Sequence, residues 1–207
     1  VRSTERTSPS ASAGTYGGGP VIVEVYAHSD VGRAREHNED AFVVADLTRG
    51  NASLRPEVRT HVVGERGTLF MVADGMGGAA AGEIASAMAI EIVLRDLTDA
   101  LVESERPTEE RFASAIKHAT AAANAHIHAF ATEHPEYRGM GTTATVAGIL
   151  GDTLFLAQVG DSRGYLIRDG VGRQITKDQS LMQKLIEAGE MTLEEAEQSE
   201  RRNIILQ

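Results

Sequence analysis

Leu69-Phe70-Met71-Val72-Ala73-Asp74-Gly75-Met76-Gly77-Gly78 is the stretch whose reading decides the fold of this chain. Its first five residues are a continuous apolar run, the composition of a strand buried on both faces, and the run stops at a carboxylate. Such a strand is expected to deliver Asp74 to a sheet edge. Gly75, Gly77 and Gly78 follow with no Cβ atoms, free to take positive φ and to let a ligand approach the main chain closely. After them, residues 79–97 have a helical composition. Taken alone, the stretch reads equally well as an ordinary strand-to-helix turn.

Composition narrows the classes. The chain has 207 residues, 42% of them apolar, enough for one domain with a real core. A formal net charge of −10, no Lys/Arg-rich run and no tryptophan argue against a nucleic-acid groove or an anionic membrane surface as partner. The lack of cysteine removes disulfides, thiolate-bound zinc and every thiolate nucleophile, and it suits a reducing, cytoplasmic location. No apolar run approaches the roughly 18–20 residues of a membrane span, and the N-terminus carries no basic head followed by an apolar stretch. No membrane segment is expected within these residues, and a monomer is the expected state.

Outward from the central stretch, residues 1–19 are rich in Ser, Thr, Ala and Gly and read as a disordered lead-in, with order starting at Pro20. Residues 21–26 and 41–45 are strand-like, and the charged segment 29–40 connects them. Residues 47–66 form a long connection or short-strand excursion. On the far side, Ile84, Met88 and Ile92 mark the core stripe of a helix over 81–97. Phe112, Ile116, Ala119, Ala123, Ile127 and Phe130 mark a second helix over 108–133. His118, His126 and His128 lie close in sequence but lack the i, i+4 spacing for chelation from one helix, so they are expected to face solvent. Residues 139–150 and 153–159 are strands joined at Gly151-Asp152, and 165–167 resume the pattern before a turn at Asp169-Gly170. Asp161 interrupts this sheet-like region, where an unpaired buried charge needs a cation or a donor cluster. Two short helices over 181–188 and 192–199 follow.

The charged and glycine-bearing segments occur in a definite order: Arg35 with Asn38-Glu39-Asp40, then Asp74-Gly75-Met76-Gly77-Gly78, Gly141-Thr142-Thr143, Val159-Gly160-Asp161-Ser162-Arg163, and Thr176-Lys177-Asp178-Gln179-Ser180-Leu181. This constellation resembles the bacterial form of the metal-dependent protein serine/threonine phosphatases of the PPM class, also called type 2C, from about residue 21 to 207. The resemblance implies an α+β fold, a sandwich of two antiparallel β-sheets flanked by helix pairs, with residues 20–207 forming the phosphatase domain. It implies two Mg²⁺ or Mn²⁺ ions at one end of the sandwich and in bacterial members a third. Carried over by position, Asp74 would bridge the two ions, the Gly75 carbonyl would bind one, Glu39 and Asp40 would hold their waters, Asp161 would bind the third, and Arg35 would hold the substrate phosphate.

Elementary electrostatics agrees with that assignment. Carboxylates and a carbonyl select hard dications over zinc, and a cluster of acids would repel a phosphate dianion unless such ions reversed the local sign. Two ions can make a bound water acidic enough to attack phosphorus in line, and Arg35 offers a planar fork for two phosphate oxygens. With no cysteine to form a phosphoenzyme, direct attack by metal-bound hydroxide is the simplest route.

Three departures matter. Met76 stands where some members, chiefly eukaryotic, place a histidine as general acid, and Gln179 replaces the histidine of a common Asp-His-Ser. Relatives also continue past residue 207 with two further metal-binding aspartates and the last strands. The expectation is therefore a C-terminally incomplete domain, inactive as it stands, of an enzyme acting on phosphorylated proteins, including a Ser/Thr kinase. The alternatives are a catalytically silent phosphoprotein-binding module of the same fold, and a phosphatase of a sigma-factor regulator.

Overall fold

The computed structural model describes residues 19–50, 60–201 and 204–206, so the lead-in expected over 1–19 lies, Gly19 aside, outside the described residues. In chain order the elements begin with β1 (Ile22–Glu24), β2 (Asp40–Asp46), β3 (Thr60–Val62), β4 (Thr68–Met76), α1 (Ala79–Val102) and α2 (Glu109–Glu133). They continue with β5 (Gly141–Thr142), β6 (Ala144–Leu150), β7 (Thr153–Val159), β8 (Tyr165–Arg168), β9 (Val171–Gln174), α3 (Leu181–Glu187) and α4 (Leu193–Gln198).

The apolar run becomes β4, the strand about which the main sheet is built. That antiparallel sheet has the order β2-β4-β6-β7, with β5 added at the end of β4, while β1-β3 and β8-β9 form separate two-stranded ribbons. The fold is accordingly α+β with antiparallel sheets. Asp74 is thus not at a sheet edge: it lies in an interior strand, which continues through it to Met76 because Gly75 and Met76 still find partners in Thr142 and Gly141.

Alternation along β4 sends Leu69, Met71 and Ala73 to one face, where all three are buried. They meet α1 there, while α2 packs on β6 and β7. The buried apolar residues of α1 are Ala81, Ala85, Ala89, Ile92, Val93, Leu97 and Leu101, whereas Ile84 and Met88 are only partly buried. The stripe expected from the larger side chains is therefore rotated by about one position, because alanines let the helix lie close to the sheet. In α2 the expected stripe holds: Phe112, Ile116, Ala119, Ala123 and Ile127 are buried, with Phe130 packed at the margin. Phe112 meets Phe155 of β7 edge-on at 5.3 Å between ring centres. Thr108 caps α2 by accepting from the Arg111 N–H, and Thr192 with Glu195 forms a capping box on α4. No helix among the described residues is long and apolar enough to cross a membrane.

The opposite face of the sheet corrects the expectation of burial on both sides. Among the described residues, His61 covers its Thr68 end through a 2.7 Å contact between Nε2 and the Thr68 hydroxyl. Farther along, Val72 is 50% exposed, Leu154 50% and Leu156 37%, an open apolar surface. The chain is expected to bind an apolar fluorescent dye such as anilinonaphthalene sulfonate in its folded state. Val72→Thr combined with Leu154→Thr should reduce that fluorescence severalfold without altering the far-ultraviolet circular dichroism. Fluorescence unchanged in the double variant would place the dye elsewhere.

Candidate active site

The β2-β4 register sets Asp40 directly opposite Asp74. Both side chains project from the face away from α1 and α2, since Ala41 and Ala73 occupy the helix-covered side. Cross-strand neighbours are close enough for side chains to touch, and like charges in that position repel. Here the two carboxyl groups face each other across the strand pair. Asp74 is pushed above the ordinary carboxylate range, first by partial burial, then by the charges of Asp40 and Asp161 and by the Asp40 hydrogen bond, while Arg35 opposes the shift. Residues 35 and 40 from one segment and 161 from another therefore all act on Asp74 in space.

The main chain of Asp74 is held on both sides. Its N–H donates to the Thr143 hydroxyl at 3.0 Å, and its carbonyl accepts from the Thr143 N–H at 2.9 Å and from the Thr142 hydroxyl at 3.1 Å. The Thr143 hydroxyl also pairs with that of Ser162 at 2.6 Å, tying the Asp74 strand to the turn bearing Asp161. In the sequence Gly141-Thr142-Thr143 stands only as a landmark, and two adjacent threonines opening a strand beside a glycine are the one signal of this role. Thr143→Val is expected to strand the Asp74 N–H and lower stability by about 1–3 kcal/mol, measured by urea unfolding. A loss below about 0.3 kcal/mol would contradict this.

Gly75 explains why the helix begins where it does. Its N–H donates to the Glu39 carbonyl at 3.2 Å, which also accepts from the Ser86 hydroxyl at 2.7 Å. A Cβ at Gly75 would collide with the Gly82 carbonyl and would meet the Glu39 carbonyl oxygen at 2.7 Å. One at Gly82 would meet the Glu39 carboxylate at 2.5 Å. Two glycines thus bring the first turn of α1 against the site.

Glu39 does not join the Asp40–Asp74 pair directly. Its carboxylate, only 10% exposed, turns toward Gly82 and lies 3.9 Å from the Arg35 guanidinium. Arg35 is itself 71% exposed and free to swing toward a ligand. Asp161 is half-buried in the turn after β7, not inside the sheet as its neighbours suggested. His118, His126 and His128 are exposed on α2, as expected. Met76 is 37% exposed and shares the face of Asp74, two residues on.

The donors fit a hard dication in type: carboxylates from two strands and a turn, a main-chain carbonyl, and a mutual repulsion that positive charge would relieve. In number they fall short, for no three Asp, Glu, His or Cys side chains among the described residues converge into a metal-holding group. The acids lie on an open rim of the sheet. A cavity of about 500 Å³ lies instead on the helix side of β6 and β7, lined by Ala123, Ile127, Arg138, Met140 and Val159 among others, and includes none of them.

Comparison with known proteins gives these positions a context. Residues 57–203 match the family described as protein phosphatase 2C. Over 186 residues the chain is 36% identical to the serine/threonine protein phosphatase PstP of Mycobacterium tuberculosis, covering 90% of this chain but 31% of that protein. It is also 36% identical over 186 residues to protein phosphatase PhpP of Streptococcus pneumoniae, covering 89% of this chain and 67% of the relative. The crystal structure of the PstP catalytic domain, in complex with two manganese ions, superposes with a TM-score of 0.63 at 38% identity over 85% of this chain and 65% of that one. The matched stretch contains Asp74, Thr143 and Asp161, the relatives agree across nearly all of the chain, and a solved member shares its antiparallel sheet and helices; this chain belongs to the protein phosphatase 2C family.

Proposed function

We propose that this chain forms most of a phosphatase domain that hydrolyses phosphoserine and phosphothreonine in proteins with the help of Mg²⁺ or Mn²⁺. The observation that carries the reading is the Asp40–Asp74 pairing, with Asp161 adding to the local negative charge and Arg35 countering it. A structure has no need to force like charges together unless something positive is to share them.

Asp74 and Asp40, with the Gly75 carbonyl, would hold two dications, and Asp161 a third. Bound there, the ions supply Lewis acidity that offsets the phosphate charge and makes a coordinated water more acidic. Arg35, exposed and weakly engaged by Glu39, would swing to pair two phosphate oxygens and orient the ester. Glu39, pinned against Gly82, would fix the segment carrying Asp40. Thr142 and Thr143 would keep Asp74 in place from behind. Met76 offers no proton, so the departing alkoxide would be protonated by solvent. The open rim suits a phosphorylated side chain projecting from a protein more than a small molecule enclosed on all sides. The proposal extends to bacterial Ser/Thr kinases among the substrates and to a cytoplasmic setting.

The lack of a three-carboxylate group among the described residues favours a second reading, a module that binds phosphoproteins without hydrolysing them. The names of the relatives favour hydrolysis. The test is release of phosphate from a phosphothreonine peptide by the full-length protein with Mn²⁺ present and after chelation. The proposal expects turnover that chelation removes; turnover without metal, or peptide binding with no turnover at saturating Mn²⁺, would overturn it.

A further inference from the structure

Asp161 sits in a turn that two glutamines hold by its main chain. Gly160, ahead of it, is buried with φ at +95°, and a Cβ there would meet the Thr143 side chain at 2.8 Å, so the turn lies against the residue that anchors Asp74. The Gly160 N–H donates to the Gln179 side-chain oxygen at 3.0 Å, and the Gly160 carbonyl accepts from the Gln179 N–H at 2.9 Å. From the other side, the Gln158 amide donates to the carbonyls of Gly160 at 3.1 Å and Ser162 at 3.2 Å. The two glutamines also engage each other, Gln179 donating to the Gln158 carbonyl at 3.3 Å. Every main-chain polar group flanking Asp161 that these bonds reach is satisfied by an uncharged side chain, which adds nothing to the local field.

We propose that Gln179, with Gln158 as its counterpart, is a positioning residue for the site: it fixes the Gly160–Ser162 turn so that the Asp161 carboxylate stays beside Asp74 and within reach of the third cation. A turn held only by its own strand ends would leave the carboxylate free to relax away from Asp40 and Asp74, since their mutual repulsion pushes it outward. Gln179 opposes that relaxation from a segment remote in sequence. It is held in turn by Leu206, whose N–H donates to the Gln179 carbonyl at 2.8 Å. Movement of the segment after β9 would therefore be transmitted to Asp161. This inference rests on reading Asp161 as a cation ligand.

The test uses amide hydrogen exchange and Mn²⁺-induced broadening of amide resonances in the chain. Gln179→Met keeps length and bulk but removes both side-chain hydrogen bonds. It should speed exchange at Gly160 and raise the Mn²⁺ concentration for half-broadening at residues 160–162 by about fivefold each. Amide exchange along the β2-β4 pair and the far-ultraviolet circular dichroism should stay as in the unmodified chain, a pattern that a general loss of structure would not give. Gln179→Glu, which retains an oxygen for the Gly160 N–H, should restore slow exchange. Unchanged Mn²⁺ response in Gln179→Met, with or without faster exchange, would overturn the proposal. If that variant does not fold, Gln158→Met, removing the donors to Gly160 and Ser162, decides in the same way. Asp161→Ala separates the two readings: if it leaves Mn²⁺ broadening at residues 160–162 unaltered, the cation role of Asp161 fails and not the clamp alone.

Discussion

Gly75→Ala is expected to be among the most damaging single substitutions in this chain, lowering stability by about 3 kcal/mol or more and the midpoint of thermal unfolding by roughly 10 °C. The added methyl would press on main-chain atoms of Gly82 and Glu39 at once, and neither can yield as a flexible side chain would. Gly82 belongs to the first turn of α1, and Glu39 leads into β2, so relief requires separating the helix from the sheet beside Asp74. The same substitution at Gly78, where a Cβ would meet nothing within 4 Å, serves as a control for φ alone, since Gly78 has φ at +92°. Gly78→Ala should lose about 1 kcal/mol from backbone strain. Circular dichroism melts of the two variants decide the matter. A Gly75→Ala protein as stable as Gly78→Ala would mean that the close approach of α1 is not real.

Asp74→Asn is expected to move two observables in opposite directions. Metal-dependent phosphate release by the full-length protein should fall about a thousandfold, because the carboxylate proposed to hold the cations loses its charge. The metal-free protein should instead become slightly more stable, by about 1–3 °C in midpoint, a modest gain because Asp74 is only partly buried and solvent screens much of the repulsion. The pH dependence follows from the same cause. A carboxyl group whose folded pKa is raised binds its proton more tightly folded than unfolded, so its contribution favours the folded state at low pH. That contribution is lost as pH rises from the ordinary carboxylate value through the elevated one. Metal-free wild type should therefore show a loss of stability across that window that Asp74→Asn lacks. Equal pH profiles for the two proteins would contradict the electrostatic account.

The sequence was most legible where one element answers to one pattern. The α2 stripe from Phe112 to Ile127 is legible because its apolar periodicity is strong, the turn at Gly151-Asp152 because its breaker is a glycine, and β4 because its apolar run is unbroken. In α1 the larger side chains misled: Ile84 and Met88 stand out on any hydrophobicity scale, but Ala85 and Ala89 face the sheet because close packing selects small residues there. Burial on both faces of β4 could not be judged from Val72 and Phe70, since what covers a strand is decided by elements elsewhere in the chain. In the site, the acids themselves could be named in advance because chemistry restricts which residue types can serve. The resemblance sets Glu39 beside Asp40, but Glu39 lies just ahead of β2 and its carboxylate goes to Gly82. The supporting residues Thr143, Ser162, Gln158 and Gln179 were invisible as such. Their hydrogen bonds join segments many residues apart, and nothing in a polar uncharged side chain announces its partner.

Calorimetric titration with Mn²⁺, on the wild-type chain and on Asp74→Asn side by side, most directly tests whether these acids are gathered to share positive charge. The account predicts saturable binding to the wild type, a rise in its unfolding temperature with Mn²⁺, and loss of both in the variant. Absence of binding to the wild type, or binding that Asp74→Asn leaves unchanged, would contradict it.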